Sequence, residues 1–160
     1  MGATSTAFSL ERSKAYRAIL FGGLIAGALD ITAAFINSGL RGRSPVWVLQ
    51  FIASGVLGAD SFTGGFTSAA LGLALHFLIA FVATAVYYAA SRKLKFMVDR
   101  AVICGLLYGI VVYLFMNLVV LPLTLPVKIS YTPASVATGV IILMLCIGLP
   151  IALVVRRYSK

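Results

Sequence analysis

Four long apolar stretches constrain the fold of this chain more than any other feature. Each is long enough to cross a bilayer as a helix, which takes about 20 residues for roughly 30 Å of hydrocarbon. The chain is 61% apolar and only 11% charged, which excludes a soluble domain, since such domains average about 45–50% and about 25%. The sequence therefore predicts an all-α, polytopic membrane protein with four transmembrane helices, at Ala18–Gly39, Gly65–Ala90, Ala101–Leu121 and Pro133–Val155.

The basic residues predict the orientation of these helices. Ten lie in flanks that helix alternation places on one side of the membrane, and three lie on the other side. The ten are Arg12, Lys14, Arg17, Arg92, Lys93, Lys95, Arg100, Arg156, Arg157 and Lys160, and the three are Arg41, Arg43 and Lys128. Because Lys and Arg concentrate in cytoplasmic loops, both termini are expected to be cytoplasmic.

The same charges bear on partners and on domain organisation. A basic N-terminus (residues 1–17) and a basic tail (156–160) enclose a transmembrane domain that covers residues 18–155. The net charge of +9 is divided among short flanks rather than gathered on one face, which argues against a nucleic-acid partner. Attraction to the anionic lipid headgroups of the bilayer is the simpler interpretation.

The first outer loop contains a further helix-start signal. Ser44 followed by Pro45 is typical of an N-cap with proline at the first helical position. The apolar segment that follows, residues 45–59, is too short to span a membrane and predicts an interfacial helix or a re-entrant one. Gln50 and Ser54 share one face of it, and Val48, Leu49, Ile52 and Val56 share an apolar face.

Polar side chains inside the predicted spans are the candidate site residues, because each needs a partner or a cavity in hydrocarbon. Asp30 is the one acid in any span, and His76 is the one histidine of the chain. Counting at 1.5 Å per residue places both roughly 2 Å to the outer side of the midplane, and Tyr113 about 3 Å. Asn117 follows Tyr113 one turn closer to the outer surface. The sequence thus predicts an intramembrane polar centre in which Asp30 and His76 can meet.

Small residues recur at helix-packing spacing around these polar side chains. Such spacing lets helix backbones approach closely. The candidate packing glycines are Gly23, Gly27, Gly72, Gly105 and Gly109. This pattern predicts that the first three spans share the polar centre and that the fourth is mainly lipid-facing.

Two interpretations of the polar centre remain open. In the first, Asp30 and His76 form a proton relay of a small transporter or channel-like protein, since His titrates near neutral pH and intramembrane ionisable groups often mark proton pathways. Four spans are few for a transporter, so this interpretation favours a homo-oligomer. In the second, the pair only fastens two helices of a non-catalytic, structural or partner-binding membrane protein.

Enzyme and cofactor functions find little support in the sequence. No HExxH, CxxC, GxSxG or P-loop pattern occurs. One His and one Asp supply too few ligands for a metal site, and a single histidine excludes bis-histidine haem. We therefore expect no catalytic residues, no metal and no cofactor.

Several segments resemble a group of short bacterial inner-membrane proteins described as YagU-like. The segments are Gln50-Phe-Ile-Ala-Ser-Gly-Val-Leu-Gly58, Leu71-Gly-Leu-Ala-Leu-His-Phe-Leu-Ile-Ala80 and Gly105-Leu-Leu-Tyr-Gly109. The resemblance implies a location in the bacterial inner membrane. It carries no activity and no site residues.

Overall fold

Every regular element of the described chain is helical, as the sequence predicts. The computed structural model describes residues 2–124 and 132–159, with side chains for 11–123 and 132–159; Lys128 and Lys160 lie outside these ranges. The helices are α1 (Gly2–Gly39), α2 (Pro45–Leu57), α3 (Gly65–Lys93), α4 (Phe96–Asp99), α5 (Ala101–Phe115), α6 (Leu121–Thr124), α7 (Pro133–Leu143) and α8 (Leu149–Ser159).

Five helical stretches are long and apolar enough to cross a membrane, one more than the four predicted spans. They are Glu11–Gly39, Pro45–Phe62, Gly65–Lys93, Ala101–Leu123 and Pro133–Ser159. Large apolar side chains are exposed along the outsides of these helices; for example, Leu78, Val82 and Val86 on α3 are each at least half exposed. A soluble protein rarely exposes such continuous apolar surface. These features indicate a helical membrane protein.

Two of the long helices contain a π-helical turn, which the sequence analysis missed. Met116–Val120 joins α5 to α6, and Met144–Gly148 joins α7 to α8. Each turn precedes a Leu-Pro pair that ends in Pro122 or Pro150. A proline lacks the N–H for the α-helical ladder and its ring crowds the carbonyl four residues earlier, so the helix adjusts locally to a wider turn. The repeated Leu-Pro pair is the sequence feature from which both π turns could have been predicted.

The half of the bundle next to the basic flanks holds the apolar core. Helix α1 packs against α3, with Gly22 beside Thr84 and Gly27 beside Phe77, so the two helices are antiparallel. Helix α5 joins α3 through the Tyr108 hydroxyl, which donates to the Ala83 carbonyl at 2.7 Å. Helix α7, the second π turn and α8 form one continuous stretch, Pro133–Ser159, called here the α7–α8 rod. The core cluster consists of residues from α1, α3, α5 and this rod: Ala18, Ala26, Tyr87, Ala101, Ile147, Ile151, Ala152 and Val155.

The prediction that the fourth span is mainly lipid-facing is wrong. Gly105 and Gly109 of α5 lie against the backbone around Gly148, in the π turn before α8. Ile151 and Val155 of α8 are fully buried. The glycines that were expected to bring the third span to the polar centre thus bring it to the fourth span, since glycine lets backbones approach regardless of which partner supplies the surface.

Helix α2 begins as predicted but does not continue as a straight rod. The Ser44 side chain caps it by accepting from the Trp47 N–H at 3.1 Å, and Pro45 follows. Gly58, at φ 63°, ends α2 and starts the 3₁₀ turn Gly58–Phe62. The Phe62 ring then lies 5.8 Å from the Trp47 ring, whereas one continuous helix would separate these residues by about 22 Å. The segment Pro45–Phe62 therefore folds back on itself.

Helix α2 packs on the protein with the face that the sequence predicts to be polar. Gln50 and Ser54, on the predicted polar face, are buried. The Gln50 amide donates from Nε2 to the Gly65 carbonyl at 3.2 Å, and Leu49 packs directly on Gly72 of α3. On the predicted apolar face, Val48 is buried, but Val56 is 69% exposed. The polar face packs on the protein because the start of α3 offers a backbone carbonyl there, and a bilayer offers none.

We expect Gln50→Leu to lower the free energy of unfolding by about 1 kcal/mol, because it removes the buried amide that binds the start of α3. Denaturant unfolding of the detergent-solubilised protein would measure the change. Thr63→Val is a suitable control, since the Thr63 hydroxyl donates to the Asp60 carbonyl in an exposed turn. Equal stabilities of wild type and Gln50→Leu would contradict the docking role of Gln50.

The predicted cytoplasmic flanks lie at one end of the bundle. Arg92, at the end of α3, forms an ion pair with Glu11 of α1. The Tyr158 ring of α8 stacks on Phe21 of α1 with centroids 6.1 Å apart. The three basic flanks of the ten-to-three asymmetry are therefore neighbours in space, as helix alternation predicts.

Candidate functional site

A cavity of about 380 Å³ lies between α1, α2, α3, α5 and the α7–α8 rod. All four residues of the predicted intramembrane polar centre line it: Asp30, His76, Tyr113 and Asn117. Ile147, from the second π turn, also lines the cavity, and Asn117 belongs to the first π turn. π-helical turns occur frequently at functional sites. The structure thus brings together polar residues from three separate helices.

His76 fastens α3 to α1 through the backbone. Its Nε2 atom lies 2.9 Å from the Gly27 carbonyl oxygen. A carbonyl only accepts hydrogen bonds, so Nε2 carries the proton, and in the neutral imidazole Nδ1 is then an acceptor. Gly27 and Gly23 allow this approach, because they lie directly under the rings of Phe77 and Phe81.

The Asp30 carboxylate faces the cavity one turn beyond Gly27. The side chain is half-buried, and His76 lies within electrostatic reach of it. In residues 11–123 and 132–159, the ion pair that the structure contains is Arg92–Glu11, and none joins Asp30 to a base. The direct Asp30–His76 contact that the sequence permits is thus replaced by a bond from His76 to the Asp30 helix backbone. The carboxylate remains available to the cavity.

Tyr113 and Asn117 line the same cavity as Asp30. Tyr113 is 8% exposed, and its ring packs on Gly139 of α7. Asn117 donates from Nδ2 to the Tyr113 carbonyl at 2.9 Å. That bond lies within one helix, where it supports the backbone at the start of the π turn. Both side chains therefore help to shape the cavity wall.

Helix α2 supplies a wall of the cavity that the sequence analysis did not anticipate. Trp47 and Phe51 line the cavity and stack on each other with ring centroids 5.3 Å apart. The exposed Arg43 guanidinium lies 3.9 Å above the Trp47 ring and lies at the mouth of the cavity. The spacing of Arg43 and Trp47, four residues apart, is the sequence feature from which their stacking could have been predicted.

The rest of the lining is largely apolar. It includes Ile31, Val48, Ile52, Ile79, Val112 and Leu143. Across the parts of the chain that the structure describes, no group of three or more His, Cys, Asp or Glu side chains is placed to hold a metal ion. The chemistry of the cavity is thus that of one carboxyl group, one imidazole and one guanidinium, from Asp30, His76 and Arg43, within an apolar and aromatic lining.

Comparisons of the chain with protein-family models, with curated proteins and with solved structures found no match. The resemblance to the YagU-like group therefore stays a prediction.

Proposed function

We propose that this chain is a small proton-linked transporter or channel-like protein, in which the Asp30 carboxyl binds and releases the proton. The observation that carries the proposal is the cavity that reaches Asp30 and His76 without an ion pair between them. A carboxylate that is not neutralised by a protein cation is costly in a membrane interior, and such residues commonly mark ion and proton pathways.

His76 has a supporting role in this proposal. Its Nε2–H is engaged with Gly27, which holds the imidazole beside Asp30 and leaves Nδ1 as the acceptor. A proton that arrives at Nδ1 can pass to the carboxylate, since an unprotonated ring nitrogen accepts a proton and donates it again once protonated. Tyr113 and Asn117 line the same cavity.

The alternative is a purely structural membrane protein in which the polar pair fastens helices. The Gly27 bond favours that role for His76. It does not account for Asp30, because helix fastening needs a hydrogen-bond partner and the described ranges give the carboxylate none. A cavity beside the pair also favours the proton-linked function over a packed structural centre.

The proposal includes a topology of four transmembrane helices with Pro45–Phe62 as a re-entrant or interfacial element. The fold-back at Gly58 supports this, because the return of Phe62 to Trp47 leaves α2 with 13 residues, or about 20 Å, against roughly 30 Å of hydrocarbon. The ten-to-three distribution of basic residues supports cytoplasmic termini, and the resemblance to the YagU-like group supports the bacterial inner membrane. A homo-oligomer would surround a shared pathway with more helices than the four of one chain.

Proton flux into proteoliposomes tests the proposal. The purified chain is reconstituted into potassium-loaded vesicles with an entrapped pH dye, and valinomycin sets an inside-negative potential. We expect the interior to acidify faster than in protein-free vesicles of the same lipid. Equal rates in the two preparations would overturn the proton-linked function.

A further inference from the structure

We propose that the cavity beside Asp30 binds a monovalent organic cation whose charge is shielded by alkyl or aryl groups. The inference rests on the proposed function in one respect, namely that the cation and the proton compete for the same carboxylate. The juxtaposition that supports it is a single unpaired acid inside a largely apolar cavity with aromatic walls.

Charge complementarity determines the sign of the ligand. Asp30 is the acid that lines the cavity. Arg43 also lines it, but in the described part of the chain no basic side chain forms an ion pair with Asp30. A bound cation would neutralise the carboxylate where water is scarce. An anion would instead add a second negative charge beside the first, at a cost that grows as the local dielectric constant falls.

The apolar lining determines the hydration of the ligand. Most lining side chains, such as Ile31, Val48 and Ile79, carry no oxygen atom that could replace the water shell of a small inorganic ion. The oxygen-bearing side chains of the lining are those of Asp30, Ser38, Tyr113 and Asn117. Divalent ions such as Ca²⁺ require six or more oxygen ligands. An ammonium group covered by alkyl carbons is weakly hydrated and gains from burial against such walls.

The aromatic residues favour a cation as well. Trp47, Phe51 and Tyr113 all line the cavity, and aromatic faces attract organic cations and quaternary ammonium groups in particular. The Arg43 guanidinium over Trp47 shows that this wall accommodates a positive charge. The same Arg43 repels a second charge at the mouth, which limits the ligand to a single positive charge.

Binding is an exchange that conserves charge and atoms. When Asp30 is protonated, the O–H bond of the carboxylic acid breaks, the proton leaves to water, and the carboxylate pairs with the cation. When the cation leaves, a proton from water restores the acid. The other ionisable side chains near the site are His76, Tyr113, Arg43 and Cys146, and Cys146 is in electrostatic contact with Asp30.

Equilibrium dialysis of the detergent-solubilised full chain tests the proposal with two probes of matching size and opposite charge. We expect benzyltrimethylammonium to bind and phenylacetate not to bind. The affinity for benzyltrimethylammonium is expected to fall as the pH is lowered, because a protonated Asp30 cannot pair with it. Equal binding of the two probes, or binding of phenylacetate alone, would overturn the proposal.

Two variants sharpen the result. Asp30→Asn keeps the shape of the side chain and should weaken benzyltrimethylammonium binding by about tenfold or more, as expected for the loss of a charged contact. Arg43→Gln removes the like charge at the mouth and should tighten binding. Unchanged affinity in Asp30→Asn, or weaker binding in Arg43→Gln, would contradict the assigned site.

The outcome is separable from that of the flux experiment, since dialysis requires no transport. A wild-type protein that conducts protons but does not bind benzyltrimethylammonium refutes the cation site and leaves the proton-linked function standing. A protein that binds the cation at Asp30 but shows no flux refutes the proton-linked function and leaves the cation site standing.

Discussion

Asp30→Asn is expected to reduce proton flux through the reconstituted protein to the rate of protein-free vesicles. Asparagine has nearly the same shape as aspartate, but its amide does not take up or release a proton at physiological pH. The substitution therefore removes the exchangeable site while leaving the cavity and the His76–Gly27 bond in place. Dye-loaded proteoliposomes measure the rate, and thermal unfolding in detergent verifies that the variant folds.

Asp60→Asn is the matched control for this experiment. Asp60 is an exposed acid in the 3₁₀ turn Gly58–Phe62 and does not line the cavity. The same chemical change there should leave the flux at the wild-type rate. A folded Asp30→Asn variant that conducts protons as fast as wild type would show that Asp30 does not carry them.

Gly148→Ala is expected to destabilise the bundle by about 3 kcal/mol or more, at or beyond the upper end of typical overpacking costs. A Cβ atom at this position would overlap the Gly105 carbonyl oxygen and lie 2.5 Å from the Gly109 nitrogen. Both neighbours are backbone, so no side chain can rotate away to relieve the clash. Helix α5 would have to separate from the α7–α8 rod, and a lower unfolding temperature in detergent would report this.

Gly39→Ala tests whether this effect depends on position rather than on the substitution itself. A Cβ atom at Gly39, near the end of α1, would meet nothing within 4 Å. The added methyl group should leave stability unchanged or raise it slightly, because alanine favours helix more than glycine does. Comparable losses in both variants would argue against a specific close contact between α5 and the α7–α8 rod.

Local signals in the sequence predicted local structure well. Ser44 and Pro45 predicted the start of α2, and the apolar lengths predicted the three later long helices within a few residues, whereas α1 begins at Gly2, well before Ala18. Helix spacing also selected Asp30, His76, Tyr113 and Asn117, which the structure places around one cavity. These predictions depend on neighbours along the chain or on a common depth, and both can be counted from residue positions.

Predictions about which helices pack together were less successful, as α2 and the fourth span illustrate. Gln50 was expected on a polar face but is buried on α3, and the helix around Ile151 was expected to face lipid but is part of the core. The π turns before Pro122 and Pro150 also became evident only in three dimensions. Each of these features depends on which helix lies alongside.

The sequence by itself determined that this chain is helical, apolar over membrane-spanning lengths and asymmetrically charged, because length, hydropathy and charge are properties of the chain alone. Only the tertiary structure decided that His76 binds the Gly27 carbonyl and leaves the Asp30 carboxylate facing a cavity. The physical reason is that lipid tails and the interfaces between packed helices are similarly apolar. Hydropathy therefore identifies residues that avoid water without indicating whether lipid or another helix replaces it.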